Sequence, residues 1–130
     1  MRYLCLIYLN EKELSAVPEA QRSALNAQHL DFDDALFSSG QLIEAEALEW
    51  GNASTCVRVR RGKTSITDGP YAETKEQVAG FYLIEARNLD EAIQVAAQIP
   101  SALLGTIEVR PCLDHLIIDG VKRKASRKPR

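Results

Sequence analysis

The chain is poor in the residues that build metal and disulfide sites. Its three cysteines, Cys5, Cys56 and Cys112, are odd in number and widely spaced, with no CxxC pair and no Cys/His cluster. That pattern supports neither a disulfide framework nor a structural zinc. Only His29 and His115 can supply imidazoles, and they stand far apart in sequence. One imidazole with scattered carboxylates makes a poor metal site, so neither a metal nor another cofactor is expected. No apolar run approaches the length of a membrane span, and Met1 to Leu9 is too short for a signal segment with its cleavage site. A cytoplasmic protein without a membrane partner is the expectation. No internal repeat or low-complexity linker divides the chain.

What is present is ordinary for one globular domain: 130 residues, 45% hydrophobic and 26% charged. The net charge of −2 conceals an asymmetry, because Lys122, Arg123, Lys124, Arg127, Lys128 and Arg130 crowd the last nine residues. The rest of the chain holds ten basic against eighteen acidic residues, a net charge of about −8. The expected organisation is a domain over residues 1–119 followed by a basic, disordered tail over 120–130. Nucleic acid is not expected to bind except through that tail, since the acidic body repels phosphate.

Arg2 to Leu9 is apolar at both parities, as in a strand covered on both faces, with Tyr3, Cys5, Ile7 and Leu9 on one side. Asn10 to Val17 reads as a charged loop. Pro18 and Glu19 suit the start of a helix that runs to about Ser39, with Gly40 as its stop. Leu25, His29, Phe32 and Leu36 form its apolar stripe, while Asp31, Asp33 and Asp34 mostly point away. Leu42 to Trp50 reads as a strand broken by Gly51-Asn52. Thr55 to Arg61 alternates, with Val57 and Val59 inward, and turns at Arg61-Gly62-Lys63 into a returning arm at Thr64 to Thr67. Val78 to Ala86 is a second buried strand in which Gly80 permits a bulge or a close approach. Asn88 caps a helix with the stripe Leu89, Ala92, Ile93 and Ala96, which Pro100 ends. Gly105 to Pro111 is the last clear strand.

Two β-α-β units sharing one sheet give an α+β, ferredoxin-like split βαβ fold with an added β-hairpin. Both helices would cover one sheet face. A second copy is the economical cover for the other, so a homodimer packed sheet to sheet is expected.

Between the hairpin and the second buried strand lies Asp68-Gly69-Pro70-Tyr71-Ala72-Glu73-Thr74-Lys75-Glu76-Gln77. Gly69 and Pro70 specify a turn, Thr74 to Gln77 fits a capping box and a single helical turn, and Glu73 and Gln77 can tie the loop down. This loop, with RYLCLIY before it and VAGFYLI and GTIEVRP after it, resembles the DGPF group of the YCII-related family over roughly residues 1 to 112. Two positions depart from that pattern: Tyr71 stands for the usual phenylalanine and Ala79 for the first of two glycines. The resemblance implies a dimeric α/β-barrel of ferredoxin-like subunits, similar in fold to muconolactone isomerases. It also implies a His–Asp pair as an active site in some relatives, dehydrochlorinase activity in at least one, and association with extracytoplasmic-function sigma factors.

His29 matches the family's helix histidine and Asp68 is the aspartate of its turn. A carboxylate bonded to one imidazole nitrogen fixes the tautomer and raises the basicity of the other, so His29 and Asp68 are the catalytic candidates. Tyr8, Tyr71, Tyr82 and Lys75 are the substrate-binding candidates, able to line a pocket or donate hydrogen bonds. The bland alternatives are a core-edge histidine, a turn aspartate bonded to its own backbone and a solvated lysine. Two functions follow: a cofactor-free lyase- or isomerase-like enzyme acting on a small carbonyl or cyclic ligand, or a non-catalytic dimeric binding module tied to a sigma-factor pathway.

Overall fold

The computed structural model describes residues 1–113 and, as backbone, residues 117–118 and 121–122. His115 and residues 123–130, with most of the basic tail, lie outside the described residues. Strand β1, Arg2–Leu9, alternates as expected: Tyr3, Cys5, Ile7 and Leu9 are buried and their neighbours half-buried. Asn10 to Val17 is not a loop. The Asn10 side chain accepts the Glu13 N–H at 3.1 Å and starts a short helix, α1, Glu11–Ala16. An N-cap asparagine with Glu11 and Glu13 at the positive helix end outweighs the local charge.

Helix α2, Glu19–Ser38, ends at Gly40, which sits at φ +80. Strand β2, Leu42–Ala47, is shorter than expected, and a 3-10 turn over Gly51–Ala53 follows it. Strands β3, Thr55–Arg60, and β4, Lys63–Asp68, form a separate two-stranded hairpin. Its loop is Arg61-Gly62, both at positive φ (53 and 75), the conformation that matches strand twist in tight hairpins. Val57, Val59 and Ile66 do not point into a core within the chain; they are 61%, 58% and 68% exposed.

Strand β5, Gln77–Glu85, buries Gly80, Tyr82 and Ile84. It bulges against β1 between Ile7 and Tyr8, and a Cβ on Gly80 would stand 2.8 Å from the Glu46 carbonyl oxygen. This is the close approach that a glycine in a strand permits. Asn88 caps α3, Leu89–Gln98, by accepting the Glu91 N–H at 2.9 Å. The buried face of α3 is Ala92, Val95 and Ala96, whereas Leu89 and Ile93 are about half exposed. Pro100 opens a 3-10 turn, Pro100–Leu103, which leads to β6, Thr106–Pro111. Strands β7, Ile117–Ile118, and β8, Val121–Lys122, pair with each other at the edge of the segment expected to be unstructured.

The main sheet has the order β2-β5-β1-β6, each pair antiparallel. With the α2 and α3 crossovers this is the expected ferredoxin-like split βαβ order. The core lies between the sheet and the helices, around Cys5, Ile84 and Ile99. Burial pushes the Cys5 thiol pKa up to about 11, which makes it an inert packing residue. On the opposite face Leu4 pairs with Leu83 and Leu6 with Phe81, outside this core. Among the described residues no helix is long and apolar enough to cross a membrane.

Candidate active site

Only Leu36 of α2 is fully buried, so the N-terminal half of the helix stands off the sheet. The gap is a cleft of about 810 Å³ between α2, β2, β5 and the turn after Pro100. Ile7, Leu9, Leu14 and Leu25 give it apolar walls, and Arg22, Asn26, His29 and Asp33 bring a polar stripe from the helix. The spacings 4, 3 and 4 place those four residues on one helical face.

Four side chains from three elements meet there. His29 Nε2 lies 2.6 Å from Ser101 Oγ and His29 Nδ1 lies 3.1 Å from Tyr82 Oη. The Tyr82 hydroxyl donates in turn to Asp33 Oδ1. A carboxylate only accepts, so the phenol proton belongs to the Tyr82–Asp33 bond. The phenol oxygen then accepts from Nδ1–H, and the Nε2 lone pair receives the Ser101 hydroxyl proton. The hydrogen bonds thus run in one direction, Ser101 to His29 to Tyr82 to Asp33. The His29 and Tyr82 rings are near parallel at 7°, and Phe32 packs edge-on to Tyr82 at 5.4 Å. These contacts hold the imidazole and phenol in place.

Burial lowers the His29 pKa and Asp33 pulls it back upward, so the imidazole is neutral at neutral pH. Burial, and then the hydrogen bond and charge of Asp33, drive the Tyr82 phenol well above its usual range. Tyr82 is therefore a fixed donor and not an ionising acid. A neutral imidazole with an oriented tautomer can take a proton, and its partners then stabilise the imidazolium. Among the described residues no three His, Cys, Asp or Glu side chains converge as a metal site.

The sequence candidates divide between places. His29 and Tyr82 share this cleft. Tyr8 and Tyr71 line a second one, of about 600 Å³, beside Trp50, Pro70 and Gln77. There Tyr8 donates to Glu108 at 2.9 Å, and Tyr71 is 87% exposed. Asp68 and Lys75 are exposed and line neither cleft; Asp68 ends β4 opposite Thr55. The carboxylate in the His29 network is Asp33, not Asp68. The loop after Asp68 forms no helical turn. Instead the Gln77 amide donates to the Ala72 and Thr74 carbonyls at 3.0 and 2.7 Å, which ties it down as expected of Gln77.

Asp33 and Ser101 are the members of the His29 network that sequence reasoning missed. Asp33 stands one turn after His29, a spacing that places both on one face. It is half-buried, against the expectation that it points away. Ser101 gives no such signal, for it reaches His29 only through the α3-to-β6 crossover.

The family profile of the YCII-related domain matches residues 1–115. An uncharacterised protein of Rhizobium meliloti (strain 1021) is 34% identical over 113 residues, covering 85% of this chain and 91% of that protein. The extent of both matches, over the same strands and helices that build the cleft, makes this chain a member of the YCII-related family.

Proposed function

We propose that the chain is a small enzyme performing acid–base chemistry on a small carbonyl or cyclic compound in the α2 cleft. The observation that carries this reading is the directed chain Ser101–His29–Tyr82–Asp33 on the wall of a largely apolar cleft. His29 is the base, held neutral by burial, and Tyr82 with Asp33 sets its tautomer and stabilises its cation. Asp68 is not needed for this role. Proton removal next to a carbonyl, or elimination across a ring bond, asks for nothing more than such a base and a shaped, largely apolar site.

The reading is tested by incubating the protein with small ketones, lactones and chlorinated cyclic compounds in D2O and following exchange or elimination by NMR. His29→Gln should lower any such rate by about 100-fold, the lower end of the usual contribution of a general base. Asp68→Asn should leave it unchanged. Ligands that bind in the cleft without exchange or turnover would identify a binding module instead.

The working unit in this reading is a homodimer. Leu4, Leu6, Phe81 and Leu83 lie on the sheet face away from the helices, and Val57, Val59 and Ile66 are exposed on a hairpin. A two-stranded hairpin alone is marginal in water and gains stability by packing. Sedimentation should give a dimer at micromolar concentration, and Leu6→Glu should give a monomer. A monomeric wild-type protein would refute this assembly.

A further inference from the structure

Acid–base chemistry by His29 alone leaves the position of Ser101 unused. Its residue is 4% exposed, yet it lines the cleft, and its hydroxyl points at Nε2 from 2.6 Å. The turn that carries it is closed by its own carbonyl, which accepts the Leu104 and Gly105 N–H groups at 3.0 Å each. Nδ1 is held by Tyr82 and Nε2 faces Ser101 Oγ, so Ser101 is the hydroxyl from which His29 can take a proton directly.

We propose that Ser101 is a nucleophile, activated by His29, that accepts the acyl group of a small ester, thioester or lactone. The proposal rests on the reading of the cleft as a catalytic site and changes the attacking atom. A serine hydroxyl is weak by itself and needs a base within hydrogen-bond reach, with that base oriented by a third group. Here the orienting group is the Tyr82 phenol oxygen on Nδ1–H, backed by the Asp33 carboxylate.

As Oγ bonds to the acyl carbon, its proton passes to Nε2. The bond from that carbon to the leaving oxygen or sulfur then breaks, and the leaving atom takes the proton back from Nε2. Water, deprotonated by the same nitrogen, cleaves the acyl-serine and returns Ser101 to its starting state. Leu9, Leu14 and Leu25 offer apolar walls for a short acyl chain.

The test treats the full chain with p-nitrophenyl acetate and, separately, with an alkyl fluorophosphonate, followed by intact mass and peptide mapping. One adduct per chain on Ser101 is expected. It should be absent in Ser101→Ala and form about 100-fold more slowly in His29→Gln, the scale of lost general-base assistance. Circular dichroism checks that both variants fold. Ser101→Cys keeps a nucleophile in place and should alkylate with iodoacetamide faster than Cys56 or Cys112.

Labelling no faster than in urea-unfolded chain, an adduct elsewhere, or a Ser101 adduct indifferent to His29→Gln would overturn the proposal. Carbon-acid exchange that survives in Ser101→Ala, without an adduct in wild type, would sink the nucleophile and leave the acid–base reading standing. A Ser101 adduct without exchange on any carbon acid would do the reverse.

Discussion

Tyr82→Phe removes a single oxygen from the middle of the site and leaves the ring's packing on Phe32 in place. Two hydrogen bonds disappear, one to the Asp33 carboxylate and one from His29 Nδ1–H. A bond to a charged group contributes about 1.5–3 kcal/mol and a neutral one about 0.5–1.5 kcal/mol. Asp33 and His29 are half-buried and face an open cleft, so water replaces part of both. The net cost should be roughly 2 kcal/mol, or a fall of about 8 °C in Tm for a chain of this size. A more specific consequence concerns the tautomer. With the phenol oxygen gone, no other hydrogen-bond partner among the described residues favours Nδ1–H, and Nε2–H can donate to Ser101 instead. The 15N shifts of the His29 ring, read by long-range 1H–15N correlation, should report Nδ1–H in the wild type and a shift toward Nε2–H in the variant. An unchanged tautomer together with a stability loss below about 0.3 kcal/mol, within the usual scatter of surface substitutions, would refute the directed network.

Three further outcomes follow from the same geometry. The depressed His29 pKa means that the unfolded chain binds more protons in mild acid, so this contribution is whole above about pH 6.5 and is lost as pH falls through the folded value. Urea midpoints from pH 8 to 5 should therefore fall less in His29→Gln than in wild type; equal slopes would refute the linkage. Asp33→Asn should lower the His29 pKa further, because Asp33 is the charge that raises it, and Asp68→Asn should leave the NMR titration unmoved. The opposite result would make Asp68 the partner. Gly105→Ala would set a Cβ 2.0 Å from the Tyr8 carbonyl oxygen, a backbone clash that no rotamer relieves, so little folded protein should be recovered. Native circular dichroism and melting behaviour in that variant would contradict the β1–β6 junction.

The elements whose signals are local were legible. Strand parity in β1, the Asn88 cap and Gly40 at a positive φ each depend on residues close in sequence, and the structure keeps all three. The errors arose where tertiary context or a competing local signal decided. Asn10 reads as part of a charged loop because Glu11, Lys12 and Glu13 follow it, yet the two acids favour the helix it caps. Val57 and Val59 alternate as a buried strand does, and the alternation says which face is apolar without saying what lies against it. The α3 stripe keeps Ala92 and Ala96 but takes Val95 in place of Leu89 and Ile93, since the small alanines let the helix approach the sheet.

The site follows the same division. His29 was visible as a polar residue within an apolar helical stripe, and Tyr82 as an aromatic in a strand rich in core positions. Their joining to Asp33 required choosing among three nearby acids, Asp31, Asp33 and Asp34. Helical geometry singles out the one a full turn beyond His29. The Asp68 turn is the more prominent feature in the sequence, yet Asp68 itself is exposed and the loop after it is tied down by Gln77. Ser101 carries no pattern at all, because its neighbour in space is 72 residues away in sequence. The α3 crossover returns the chain beneath α2, and the turn after Pro100 then decides which hydroxyl meets the imidazole. A search along the chain for catalytic spacing fails on such a site, since the relevant spacing is set by the order β2-β5-β1-β6 and not by residue number. Once that order is known, the residue at the end of the second crossover is the natural place to look for the partner of a histidine on the first.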